Sequence, residues 1–194
     1  MYDIQSILSP CTKNVYTYNI SSCVIIDGVE MEARLVELKA FLQFLRANCS
    51  FAFDVNRFDH RIRLQKYVFI ARFLGWDNEY IYNLYVRGPY SPDLAKDYYS
   101  LGDISVSLGD YREYLTDFDM GKFVQIISGK KIAWLEVGAT MLSLYNNNKD
   151  TITEGDTASF LIARTKDIKS DYDEGDFIEQ VFDDLAKYKL VKSS

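Results

Sequence analysis

The stretch "RIRLQKYVFIARFLG", residues 61–75, constrains the fold more than any other part of the sequence. Its periodicity indicates a helix whose apolar side chains surround the axis, and a helix of that kind is buried on all sides. The rest of the chain must therefore pack around it. We expect Asp59 to cap its first turn and Gly75 to end it, because these residue types favour those two positions.

Lys66 is the unusual residue of this helix, since Ile62 and Phe69 lie on the same side of it. A buried ammonium needs a carboxylate or carbonyl partner, because leaving it without one is costly or forces deprotonation. Two interpretations remain open. Lys66 reaches solvent at the edge of the core, or it holds another segment in place; in the second case we expect contact with residues 88–91, whose turn offers free carbonyl groups.

The stretch "YVRGPYSPDL", residues 85–94, contains two of the three prolines in the chain. Gly88 permits a backbone conformation that other residues resist, and Pro89 fixes the next φ angle. Ser91 suits the N-cap of a helix that begins at Pro92, where the missing amide hydrogen is not needed. These preferences predict a rigid corner that leads from a strand into a helix.

This corner again has two interpretations. It closes the fold, or it presents Arg87, Tyr90 and Ser91 to a partner. We predict structural roles for Gly88, Pro89 and Pro92, and partner binding for Arg87, Tyr90, Ser91 and Lys66. The corner is not a phosphate-binding loop, because it contains a single glycine.

Periodicity elsewhere predicts a helix-rich chain. Further helices are expected over residues 29–47, 91–101, 119–127, 131–146, 155–168 and 175–190, with a shorter one near 109–118. Residues 80–86, "YIYNLYV", indicate a short strand. The predicted fold is therefore α+β and predominantly α-helical, with a short β element. The lengths and loops of the last three helices are compatible with a winged-helix-like C-terminal part.

Residues 1–30 differ from the rest of the chain. Tyr16, Tyr18 and Ile20, followed by Val24 and Ile26, alternate across a pair of serines, a pattern typical of a β-hairpin. We interpret residues 1–30 as an N-terminal appendage and residues 31–194 as a single, mostly helical domain.

Composition and charge restrict the classes of partner. The net charge of −6 argues against indiscriminate binding to nucleic acids or to anionic membranes. The distribution is uneven: residues 31–96 contain ten Lys and Arg against seven Asp and Glu, whereas residues 97–194 contain eleven against eighteen. Cys11, Cys23 and Cys49 form no CxxC pair, and no run is long enough for a membrane span, so we expect a reduced, cytoplasmic protein.

The sequence shows no recognisable set of catalytic or metal-binding residues. His60 is the one histidine, and its place beside a helix start favours an exposed first-turn residue over a ligand. The acidic run at residues 171–176 lacks the ligand spacing of a calcium loop. We therefore expect no cofactor, no metal and no catalytic residue.

Two motifs together carry a family resemblance. "RLQKYVFIARFLG", residues 63–75, followed by "YVRGPYSPDLAKDYYSL", residues 85–101, resembles the YwgA-like family of small prokaryotic proteins. The pair is more distantly similar to the Panacea domain of SocA-like antitoxins. The matching positions are Leu64, Gln65, Lys66, Gly88, Pro89, Tyr90, Ser91, Pro92 and Leu94. Tyr67 departs from the aliphatic residue common after the lysine.

The resemblance extends from Met31 to Val191 and includes "WLEVGATMLSLYNN" and "FIEQVFDDLAKYKLV". It implies a mostly helical α+β fold in which Leu64, Gln65 and Leu94 belong to the structural motif. The Panacea relatives imply neutralisation of a toxin, or adaptor work, through protein contacts.

Three hypotheses about function follow. The first is a non-catalytic protein-interaction or regulatory module, antitoxin- or adaptor-like, with a protein partner. The second is a winged-helix-like DNA-binding regulator, although Glu179, Asp183 and Asp184 make the last helix a poor phosphate reader. The third is an enzyme that uses Lys66, Arg87 and carboxylates. The oligomeric state stays open.

Overall fold

The computed structural model describes residues 23–26, 29–101, 108–153 and 155–192. Within these ranges the fold is α+β and predominantly helical, as predicted, with two separate two-stranded antiparallel sheets. The strands are β1 (Cys23–Ile26), β2 (Val29–Glu32), β3 (Asn83–Tyr85) and β4 (Gly88–Tyr90). The helices are α1 (Ala33–Asn48), α2 (Phe58–Ala71), α3 (Pro92–Ser100), α4 (Met120–Ile127), α5 (Ile132–Asn148), α6 (Thr157–Ile168) and α7 (Phe177–Lys187). The short helix expected near residues 109–118 is a 3-10 turn, Tyr111–Tyr114.

Helix α2 lies at the centre of the fold, as its sequence predicts. Every residue from Leu64 to Ala71 is buried, and the helix packs against α5 and β4. A 3-10 turn continues it to Gly75, whose φ of +99° ends the helix. A Cβ atom at Gly75 would lie 2.0 Å from the carbonyl oxygen of Asp117, so this position requires glycine for its conformation and for its close contact.

The first turn of α2 differs from the prediction in two ways. Arg57, not Asp59, occupies the N-cap position, and the Asp59 carboxylate forms a 2.9 Å ion pair with Arg57. His60 is not exposed: its side chain is 14% accessible, and Nδ1 accepts a 3.0 Å hydrogen bond from the amide of Asp54. The imidazole thus fastens the preceding loop to the helix.

The N-terminal hairpin pairs a strand that we predicted with one that we did not. Most of the expected hairpin lies outside the described residues, but its last part forms β1, with Val24 opposite Met31 in β2. Residues 29–32 were expected to be helical, whereas α1 begins at Ala33. The predicted domain boundary between residues 30 and 31 therefore falls inside β2, and the buried Met31 belongs to the core.

The four C-terminal helices lie close to their predicted ranges. Helices α5, α6 and α7 pack on one another in a three-helix arrangement. In the described residues no strand follows Tyr90, so the three predicted helices are present and a C-terminal wing is not seen in this part of the chain. Among all the described residues, no helix is both long enough and apolar enough to cross a membrane.

A cluster of aromatic rings joins α1 to α4 and to the loops beside them. The ring of Phe41 lies 4.4 Å from Trp76, 5.7 Å from Phe118 and 5.6 Å from Phe123, measured between centroids. Large buried rings contribute strongly to a core because each removes much apolar surface from water. This cluster packs α1 on α4 and on the loops beside it, while α2 packs against α5 and β4.

A candidate protein-interaction groove

The corner predicted at residues 85–94 is a β-hairpin followed directly by a helix. Tyr85 pairs with Gly88, so Val86 and Arg87 form the turn between β3 and β4. Gly88 has a φ of +87°, and a Cβ atom there would lie 2.9 Å from Thr140 Oγ1 and 3.2 Å from the carbonyl oxygen of Glu136. Its conformation and its contact with α5 both require glycine, as its predicted structural role implies.

Gln65 and Lys66 of α2 hold this corner through its backbone. The side-chain amide of Gln65 donates to the Ser91 carbonyl and accepts from the Ser91 amide, each at 2.9 Å. Lys66 Nζ donates to the carbonyl oxygen of Pro89 at 2.6 Å. The predicted contact between Lys66 and the corner is thus confirmed, and two adjacent residues of one buried helix fix the path of β4.

Lys66 is 2% exposed, and this burial dominates its electrostatics. Burial lowers its pKa to about 7, the charge of Glu136 opposes that shift, and the charges of Lys169 and Arg87 add to it. The interpretation in which Lys66 reaches solvent at the edge of the core is therefore wrong. The ammonium group of Lys66 instead forms a hydrogen bond within the protein, to the backbone of Pro89.

Glu136 on α5 is a buried carboxylate that gathers several partners. Arg87 Nη1 donates to its Oε1 at 3.1 Å, and the Tyr172 hydroxyl donates to its Oε2 at 3.0 Å. The buried Lys169 ammonium lies 3.7 Å from the same Oε2 and donates to the Val86 carbonyl at 2.6 Å. Burial lowers the pKa of Lys169, which Glu136 partly offsets. The carboxylate thus ties the hairpin turn to α5 and to the segment after α6.

A groove with a volume of about 540 Å³ runs between the hairpin, α2 and α3. Its walls are mostly aromatic and aliphatic. The lining side chains are Phe58, Arg61, Ile62, Gln65, Lys66, Tyr85, Val86, Arg87, Tyr90, Tyr98 and Tyr99, with Gly88 between them. Four of these, Phe58, Tyr85, Val86 and Tyr99, are among the large hydrophobic residues that the fold leaves exposed. Exposed apolar surface concentrated in a concave site is typical of a binding surface.

The four residues predicted for partner binding differ in whether they are available to a partner. Arg87 and Tyr90 line the groove, Arg87 exposed and Tyr90 half-buried against Tyr85, with ring centroids 5.6 Å apart. Lys66 lines its floor, but its ammonium is committed to Pro89. Ser91 does not face a partner: it is buried, and its hydroxyl accepts from the Leu94 amide as the N-cap of α3.

The residues predicted for structural roles lie where those roles require. Leu64 and Leu94 are fully buried in the core, and Pro89 is buried in β4. Pro92 is the exposed first residue of α3, where the missing amide hydrogen costs no hydrogen bond.

The sequence patterns did not point to three residues of this site: Glu136, Lys169 and Phe58. Glu136 carried a usable signal, because a lone carboxylate within the apolar run "AWLEVGATML" must be buried and must find cations. Lys169 and Phe58 carried none, since each follows or begins a helix among ordinary polar neighbours. Their positions depend on how distant elements meet.

In the described residues no group of three or more His, Cys, Asp and Glu side chains is arranged to hold a metal ion. Comparison with protein-family models, with curated proteins and with solved structures finds no match to this chain.

Proposed function

We propose that this chain is a non-catalytic protein-interaction module, antitoxin- or adaptor-like, that holds a protein partner in the groove between β3–β4, α2 and α3. The observation that carries the proposal is the combination of exposed apolar side chains with a backbone whose carbonyl groups are held by hydrogen bonds from buried lysines. Val86 at the hairpin turn is 91% exposed, while the carbonyl of the same residue is held by Lys169.

A rigid backbone favours this proposal because a preorganised surface loses little conformational entropy on binding. Gln65, Lys66 and Lys169 each bond a main-chain group of the hairpin or of the residue after it. Tyrosine-rich walls add large contact areas with few rotatable bonds. The proposal includes the YwgA-like and Panacea-like relationship and a reducing, cytoplasmic setting, which agrees with the free thiols of Cys23 and Cys49.

The test is a pull-down from the native host with the wild-type chain and groove variants. Tyr90→Ala and Val86→Ser should lose the partner at unchanged melting temperature, with a cost on the order of 2 kcal/mol for an aromatic residue at the centre of an interface. Tyr188→Ala is the matched control, because Tyr188 is also half-buried but lies outside the groove at the end of α7.

Two results contradict the proposal. Groove variants could retain the partner as well as Tyr188→Ala does. Alternatively, their loss of binding could follow the loss of folded protein, which would make the groove a structural corner only.

A further inference from the structure

Basic side chains lie among the apolar walls of the groove. Arg61, Lys66 and Arg87 line it, and none of its lining side chains is a carboxylate. The whole chain, in contrast, has a net charge of −6. The groove is thus an apolar site that presents two guanidinium groups on an acidic protein, one of which, Arg87, also pairs with the buried Glu136.

Two guanidinium groups share one exposed ring in this groove. The Cζ atoms of Arg61 and Arg87 lie 5.5 Å and 5.4 Å from the ring centroid of Phe58. Phe58 and Arg61 occupy the first turn of α2, three residues apart and hence on the same face, while Arg87 approaches from the hairpin turn. Cation–π contact holds both guanidinium groups at the mouth of the groove.

Both guanidinium groups keep donors available. Arg61 Nη1 donates to the Val55 carbonyl at 2.7 Å, and Arg87 Nη1 donates to Glu136 at 3.1 Å. A guanidinium has five N–H donors, so most of them are not used by these contacts. Within the described residues Arg87 and the buried Lys169 share Glu136 as an ion-pair partner, and the charge of Asp171 also acts on Lys169. Arg87 therefore shares its carboxylate with a second cation, and an incoming anion would give its free donors a partner of their own.

We infer that the occupant of the groove is a protein segment carrying a side-chain carboxylate between apolar residues, with the carboxylate on Arg61 and Arg87 and the apolar residues on the aromatic walls. This inference rests on the proposed function and names the chemistry of its partner. A carboxylate matches the planar, bidentate geometry of arginine. The apolar walls disfavour a polyanion such as a nucleic acid, whose neighbouring phosphates would lose water without gaining partners.

The hairpin supports an extended segment as the occupant. Strand β3 pairs with β4 on one edge, and in the described residues its other edge has no strand partner. All three residues of β3 are exposed, and Tyr85 and Val86 continue directly into the groove. A segment lying along this edge can add main-chain hydrogen bonds while its side chains enter the groove.

The test is an NMR titration of the ¹⁵N-labelled full chain with two capped peptides, acetyl-Ser-Leu-Asp-Phe-Val-Ser-amide and the same peptide with Asn in place of Asp. The Asp peptide should shift signals of residues 58–66 and 85–90 and bind about fivefold more tightly than the Asn peptide, as expected for a partly exposed ion pair. In Arg61→Gln and Arg87→Gln this preference should shrink, and in the double variant it should vanish while binding of the Asn peptide persists.

Arg164→Gln is the matched control. The Arg164 side chain is 56% exposed and pairs with a carboxylate, compared with 55% for Arg87, but it lies on α6 away from the groove. The Arg164→Gln variant should prefer the Asp peptide over the Asn peptide as strongly as the wild type does. The spectrum of each variant shows whether it is folded, so a loss of preference is read only from folded protein.

Several results would overturn the inference. Equal affinity for the two peptides would leave the groove as an apolar binding site, so the proposed function would stand and the inference would fail. A preference that survives the double variant, or no binding of the Asp peptide at about 10 mM, would also refute it. If 3-phenylpropionate binds as tightly as the peptide, the occupant is a small acid; if a DNA duplex competes through the same arginines, it is a nucleic acid.

Discussion

Lys66 shows how a buried charge can be kept for a structural purpose. Its ammonium crosses from α2 to a carbonyl of β4, and the carboxylate whose charge acts on it, Glu136, belongs to a third element. A methionine of similar length would fill the same volume without the cost of desolvation. What the lysine adds is a donor that fixes where Pro89 lies, and hence where the groove opens.

The first prediction concerns the pH dependence of stability at Lys66. Because burial lowers its pKa to about 7 in the folded protein, the unfolded chain retains a proton between pH 7 and pH 9 that the folded protein has released. Stability contributed by this group should therefore rise with pH across that window. Relative to Lys66→Met, the free energy of unfolding of the wild type should increase by on the order of 2 kcal/mol between pH 7 and pH 9.

Urea unfolding at several pH values measures this difference. The comparison is kept below pH 9 because burial raises the pKa of the Cys49 thiol to about 11, so ionisation of the unfolded thiol lowers the stability of both proteins at higher pH. Lys96→Met is the control, since Lys96 is exposed on α3 and its removal should not change the slope. Parallel pH profiles for the wild type and Lys66→Met would contradict the prediction.

The second prediction concerns Gln65. Gln65→Ala removes both hydrogen bonds that it makes with the buried backbone of Ser91. The Ser91 amide then has no partner, whereas the Ser91 carbonyl keeps its 3.1 Å bond from the Ala95 amide. We expect a loss of roughly 2–4 kcal/mol in the free energy of unfolding, because an unsatisfied buried polar group costs more than the bond contributed. Gln180→Ala on α7 should cost less than about 0.5 kcal/mol, since that amide forms an exposed contact with Asp176. Equal losses in the two variants would show that Gln65 does not hold the corner.

At the scale of elements, α5 contributes Glu136 in the middle of an otherwise apolar segment, and that one side chain connects three parts of the chain. It bonds the hairpin turn through Arg87 and the segment after α6 through Lys169 and Tyr172. Burial, followed by the contact with this carboxylate, raises the pKa of the Tyr172 hydroxyl, which therefore stays a donor at neutral pH. The packing of α6 and the shape of the groove thus depend on each other.

The third prediction tests this connection. Glu136→Gln keeps the shape of the side chain but leaves Arg87 and Lys169 without their carboxylate, so we expect a loss of roughly 3 kcal/mol in the free energy of unfolding. Glu179→Gln is the control, because Glu179 pairs with Lys166 at 2.9 Å at a partly exposed site and should cost under about 1 kcal/mol. Thermal unfolding of both variants gives the comparison, and a similar small loss in each would refute a central role for Glu136.

Local patterns predicted much of the fold and only part of the groove. The all-round apolar helix α2, the N-cap at Ser91 and the glycine at residue 88 follow from side chains and backbone preferences within a few residues. The same reasoning predicted that Lys66 could bond the corner. It could not predict that residues 29–32 form a strand, because that strand depends on pairing with β1, and tertiary pairing overrides local helix periodicity there.

The partner-binding predictions divide for a similar reason. Arg87 lies in the hairpin turn, Tyr90 follows it, and both line the groove, as a presented corner requires. Ser91 is one residue further on, where the same turn has already entered the N-cap of α3, so its polar atoms are used within the chain. Phe58 joins the site only because α2 crosses the hairpin, and no short-range pattern encodes such a crossing.

For the whole molecule, charge is the property that most restricts partners. The acidic residues are concentrated after residue 96, in the part of the chain that contains the last three helices. Helix α7 carries Asp183 and Asp184, and Asp184 is already paired with Lys130. A DNA-reading helix needs cations along one face and a field that attracts phosphate, and α7 offers neither.

The last prediction therefore concerns nucleic acids. We expect the full chain to bind duplex DNA weakly and without sequence preference, with any affinity lost as salt rises toward physiological ionic strength, because screening removes the attraction of the few basic side chains. A gel-shift series with a random and a promoter-derived duplex at two salt concentrations measures this. The groove variant Arg87→Gln should behave as the wild type does, since one cation at an apolar site contributes little to phosphate binding. Submicromolar, salt-resistant affinity for a defined duplex would instead make a DNA-binding regulator the better description of this protein.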